Sequence, residues 1–151
     1  MLELFTGISC LAFFAAFWAG VCLVVAFAGG WTDLAKTYRD HGSLADKPLK
    51  SLYLQTGAVG EMGGYRSCLT LRICESGLRM SVFPLFRPGH PALFIPWEEF
   101  HSGKEIRGLF GSYWRVSVGR PVIAEILLPL RVCDYLPRGI ASELRQSGEL
   151  A

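Results

Sequence analysis

Residues 65–82 read YRSCLTLRICESGLRMSV. A β-strand sends successive side chains to opposite faces, so Tyr65, Ser67, Leu69, Leu71 and Ile73 share one face and Arg66, Cys68, Thr70, Arg72 and Cys74 the other. Ser76-Gly77 is a turn signal. After it the alternation resumes, with Leu78, Met80 and Val82 on the apolar side and Arg79 and Ser81 outside. Two alternating runs joined by a short Gly-containing turn predict an antiparallel hairpin, and with it a mostly β domain.

The same period continues on both sides of the hairpin. Upstream, SLYLQ (51–55) reads as a short strand, and the Gly-rich GAVGEMGG (57–64) as a flexible stretch or hairpin tip. Downstream, LFIPW (93–97), KEIRGLF (104–110), YWRVSVG (113–119) and VIAEILL (122–128) give four more short strands, the first ended or bulged by Pro96. Pro137 opens a short C-terminal helix carrying Ile140 and Leu144 and ending near Gly148. Seven or so short antiparallel strands followed by one helix resemble a pleckstrin-homology or GRAM-like barrel or roll. A β-sandwich or roll of unrelated topology is the alternative. The β-rich domain is placed at residues 49–148.

The N-terminus obeys different rules. Residues 4–31 carry no charged side chain, and LAFFAAFWAGVCLVVAFA (11–28) is too apolar to be half-exposed to water. About 20 helical residues cross a bilayer's hydrocarbon core, so residues 1–30 are read as one transmembrane helix. Ala26-Phe27-Ala28 has the form of a signal-peptide cleavage site, but the start lacks a basic region and the apolar run is longer than a signal peptide's. Val21 before Cys22 argues against a lipoprotein, and the length of the run against a buried core helix. Ala12, Ala16 and Gly20 fall on one face, where a second helix could approach closely.

Residues 31–42, WTDLAKTYRDHG, place Trp31, Leu34, Ala35 and Tyr38 at helical spacing, with Asp33, Lys36 and Arg39 opposite. This predicts a juxtamembrane amphipathic helix, capped at Thr32 and stopped at Gly42, that runs along the membrane or covers the domain. Trp31, Lys36 and Arg39 are its candidate interface residues: an indole at the lipid–water boundary and two cations for anionic headgroups. All fifteen Lys and Arg follow Trp31, and Lys36, Arg39, Lys47 and Lys50 flank the span on that side. The positive-inside rule then places the C-terminal domain in the cytoplasm.

Composition narrows the chemistry. The chain has a formal charge of +2, too weak to point to nucleic acid. Cys68, Cys74 and Cys133 are an odd set with no C-x-x-C pair, which reads as reduced thiols. Cys68 and Cys74 are six residues apart on one strand, about 20 Å, and cannot share an ion. His41, His90 and His101 are scattered, with no H-E-x-x-H, and neither a phosphate loop nor a G-x-S-x-G elbow occurs. No catalytic residue, metal or cofactor is assigned.

Two stretches stand out as contact candidates. FRPGHPALFIPW (86–97) holds three prolines, Arg87, His90 and Trp97, a stiff loop offering a cation, an imidazole and an indole. The plainer reading makes Trp97 core and uses Arg87 and His90 to pin the loop. Arg66, Arg72 and Arg79 would form a basic face of the hairpin if their side chains cluster.

The pair GW-x-x-LA-x-x-YR (30–39) and FR-x-GHP-x-L-x-IPW (86–97) resembles a group of bacterial single-pass membrane proteins with a small β domain. The resemblance implies a bacterial inner-membrane location and this topology. It implies no reaction. The expectation is a membrane-anchored, non-enzymatic interaction domain at the inner leaflet, contacting another membrane protein or a second copy of the chain. The alternatives are a lipid-headgroup module reading anionic lipid, and an enzyme acting on a membrane substrate with His90, Arg87 and Glu98 converging.

Overall fold

The computed structural model describes residues 1–42, 46–61, 63–108, 111–137 and 139–142. Helix α1 (Leu2–Ala28) is 27 residues long, uncharged apart from Glu3, and only 11% of its apolar window is buried. It is the one helix among the described residues long and apolar enough to cross a membrane. Helix α2 (Trp31–Tyr38) follows after two glycines, with Gly30 at φ +79° making the corner that a side chain would strain. The cap is therefore Gly30 rather than Thr32. The helix stops at Arg39, where the backbone becomes extended, short of the expected Gly42.

The rest is one seven-stranded antiparallel sheet: β1 (Pro48–Val59), β2 (Gly63–Cys74), β3 (Gly77–Val82), β4 (Leu93–Pro96), β5 (Phe100–Gly108), β6 (Gly111–Val118) and β7 (Ala124–Pro129). Its order is β4-β3-β2-β1-β7-β6-β5, two meanders joined where β1 pairs with β7. The predicted hairpin is β2–β3, paired from Leu69↔Val82 to Ile73↔Leu78. The Gly-rich stretch is the tip of the β1–β2 hairpin and the strand ends beside it: Gly57, Ala58 and Val59 extend β1 and pair with Tyr65, Gly64 and Gly63.

Leu54, Ser67 and Ser102 have φ near +50°, and each falls where the strand register shifts. Such bulges bend a strand and increase its twist, and here they accompany a sheet curled into a half-barrel. The bulge also removes Ser67 from the apolar face on which the alternation placed it. Tyr65, Leu69, Leu71 and Ile73 are buried, whereas Ser67 is exposed. The concave core joins Leu69, Leu71 and Ile73 to Leu78 and Met80 of β3, Leu93 and Ile95 of β4, Val116 and Val118 of β6, and Ile126 and Leu128 of β7. A 3₁₀ segment, Leu130–Tyr135, adds Val132. Residues 139–142 are helical, starting the short C-terminal helix. Its expected end near Gly148 is outside the described residues.

Helix α2 covers the domain. Trp31, Leu34 and Tyr38 are buried on its inner face, and the chain beyond it joins the β4 edge through an Arg39↔Leu93 bridge and an Asp40 N–H to Ala92 O bond of 2.8 Å. A free strand edge is a template for unwanted pairing, and this segment blocks part of it. Asp40 also takes Arg79 at 2.7 Å, with both side chains largely buried.

Candidate functional site

The lower half of α1 is packed against its own domain. Cys22, Ala26 and Gly29 are buried and Trp18 and Ala19 half-buried, a single stripe at helical spacing. At its end, a Cβ on Gly29 would meet the Gly63 Cα at 2.8 Å, and one on Gly60 would meet the Gly29 carbonyl oxygen at 2.6 Å. The helix end and the β1–β2 turn thus touch backbone to backbone, a contact only glycine permits. Gly89 fits likewise against Leu23 and Ala26.

Trp31 is fully buried, so it is core and not an indole facing the lipid–water boundary. Its ring, Tyr65 and His90 form a triangle of edge-on contacts with centroids 5.2–5.4 Å apart, and its Nε1–H donates to Pro91 O at 3.0 Å. His90 is 2% exposed. Its Nδ1 is 3.0 Å from the Pro88 carbonyl, which can only accept, so Nδ1 carries the proton. Nε2 then accepts from the Tyr65 hydroxyl at 2.9 Å. Burial holds His90 below its ordinary pKa and pushes Tyr65 above its own, which keeps both neutral.

Beside this triangle a cleft of about 400 Å³ opens between α1 and β2. Trp18, Val21, Cys22 and Val25 form one wall; Tyr65, Cys68, Phe86 and His90 form the other, with Gly64 and Arg66 at the strand end. Its volume is in the range of small-ligand pockets and its walls are mostly apolar. Burial pushes the Cys68 thiol up, so it is not a ready nucleophile.

The other candidates are dispersed. Trp97 is buried and donates to Cys74 O at 3.1 Å, which is the plainer, structural reading. Arg87 and Glu98 are exposed while both His90 nitrogens are taken, so the three do not converge on one pocket. Arg66 and Arg72 are exposed but about 20 Å apart along β2, and Arg79 is held by Asp40 and over the Phe94 ring. Arg72 and Arg79 do stand opposite each other across β2–β3, but with Arg66 remote and Arg79 engaged by Asp40 the three form no common basic face. Lys36 and Arg39 are exposed, Lys36 paired with Asp33 at 2.7 Å. Ala12, Ala16 and Gly20 are exposed on α1 and lie outside the docked stripe. None of the five cysteines is in a disulfide, and among the described residues no group of His, Cys, Asp or Glu could hold a metal.

The cleft escaped sequence reasoning because half of it belongs to the helix read as lipid-facing. The signal was the pair of motif segments: 30–39 and 86–97 prove to be packed on each other through Trp31, His90 and the Arg39↔Leu93 bridge. In comparisons with known proteins, no family model, curated protein or solved structure matches the chain.

Proposed function

We propose that this chain is a membrane-anchored, non-enzymatic binding module whose helix–sheet cleft holds one acyl chain of a bilayer phospholipid. The observation that carries this is the composition of the cleft. One wall is the apolar surface of the helix fit to span the membrane, so the cleft is continuous with the surface that meets lipid tails. Arg66 at its strand end suits a lipid phosphate, to which a guanidinium can give paired hydrogen bonds. The seven strands in this order with a short following helix support a pleckstrin-homology-like or GRAM-like architecture. The exposed Lys36, Arg39, Lys47 and Lys50 support a cytoplasmic domain under the positive-inside rule.

The test is native mass spectrometry of the full-length protein, taken in mild detergent from vesicles of phosphatidylcholine and phosphatidylglycerol. One retained phospholipid per chain is expected. Val25→Trp, which fills the cleft, should lose it, and Arg66→Gln should lose the preference for the anionic lipid. No retained lipid, or equal retention in Val25→Trp, overturns the reading. A second reading, contact with another membrane protein, is favoured by the uncovered Ala12/Ala16/Gly20 face. A stoichiometric protein that co-purifies and is lost in Gly20→Leu would support it.

A further inference from the structure

The loop between β3 and β4 reaches unusually far up α1. The Trp18 indole Nε1–H donates to Leu85 O at 2.9 Å, and the Trp18 and Phe86 rings are 5.4 Å apart. Starting from Glu3, about 30 Å of hydrocarbon takes about 20 helical residues and ends near Leu23. Trp18 is then about 7 Å inside the hydrocarbon, and Leu85 with it. Helical side chains lean toward the N-terminus, which carries the contact deeper. Tilting the helix, or raising Glu3 clear of the hydrocarbon, also lowers the loop further.

The chemistry of the loop fits that depth. Phe83 and Leu85 are 46% and 59% exposed, on a domain whose other large apolar side chains are mostly internal. Little water reaches backbone at that depth, so bonds made within the protein carry most of the polar groups there. Pro84, Pro88 and Pro91 have no N–H to satisfy. The N–H groups of Phe83, Phe86, Arg87 and His90 donate to Cys68 O, Phe83 O, Pro84 O and Arg87 O, and Trp18 and His90 take the Leu85 and Pro88 carbonyls. Arg87, on its longer stem, can bring its charge back to the headgroups.

We infer that residues 83–88 are a second membrane-immersed element, a proline-stiffened wedge whose Phe83 and Leu85 side chains contact lipid tails. This rests on the reading of α1 as a membrane span. The test places the photo-crosslinking residue benzoylphenylalanine at Leu85, and separately at Phe83, in the full-length chain in phosphatidylcholine–phosphatidylglycerol vesicles. Phe14 on α1 and Tyr53, an exposed ring on β1, are the comparison positions. Lipid adducts by mass spectrometry are expected at Leu85, Phe83 and Phe14, with none above background at Tyr53. Adducts at Phe14 but at neither loop position overturn the wedge and leave the span intact. No adduct at Phe14 overturns the span, and the wedge with it.

Discussion

The Trp31 indole stands edge-on to the His90 imidazole, ring centroids 5.2 Å apart, and joins the first residue of α2 to the β3–β4 loop. With Tyr65 it closes a buried aromatic triangle at the junction of α1, α2 and the sheet. Trp31→Ala should therefore cost about 3–5 kcal/mol of domain stability, the range for emptying a large buried aromatic site. Denaturant unfolding followed by circular dichroism measures it. A loss confined to membrane binding, with the unfolding midpoint unchanged, would return Trp31 to the lipid interface.

His90 makes the same junction sensitive to pH. Its folded pKa is depressed below the ordinary 6.5 by burial, so the unfolded chain binds the proton more readily than the folded one. Stability is full above 6.5 and falls as pH drops through 6.5 toward the lower folded value. Thermal midpoints between pH 8 and pH 5 should decline, and His90→Gln should flatten the part of the decline due to this group.

Trp97→Ala should also destabilise by about 3–5 kcal/mol, because the indole is 4% exposed and its N–H is bonded to Cys74 O. Trp97→Phe should recover most of the packing, leaving the loss of one hydrogen bond, on the order of 1–3 kcal/mol. Comparing the two variants in urea separates the contributions.

Asp40→Ala should lower stability by about 3–5 kcal/mol, since it removes the close carboxylate partner of Arg79 from a largely buried site. The double change Asp40→Ala with Arg79→Met should recover much of that loss, because a guanidinium no longer has to be buried without that carboxylate. A double-mutant cycle on unfolding midpoints reads the coupling. Additive effects would show that the pair is well hydrated.

The long apolar helix, the β2–β3 hairpin and the sites of the seven strands were legible because each rests on a local pattern: unbroken apolarity in α1, alternation in the sheet. The docking of α1 on the domain was not. Cys22 and Ala26 are apolar whether they face lipid or protein, since lipid tails and a protein interior differ little in polarity. The bulges at Leu54 and Ser67 carry no glycine to announce them, so the alternation was read straight through Ser67. Trp31 looked like a boundary indole because position along the chain cannot show that His90 and Tyr65 cover it. The charge pattern likewise showed three arginines on a hairpin, but not that Asp40 returns to hold one of them.

The meeting of Gly29 with Gly60 and Gly63 leaves no slack between the membrane helix and the sheet. With no room to slide at that contact, a change in the helix's lean would carry the sheet with it. At about 3.3 Å per residue the twelve residues of β1, shortened by their bulges, reach at most about 40 Å from that junction. A helix leaning about 10° further in a thinner bilayer would then swing the far end of the strand by at most about 7 Å. With α1 seated in a bilayer, the thickness of that bilayer would set the height and attitude of the domain's surface.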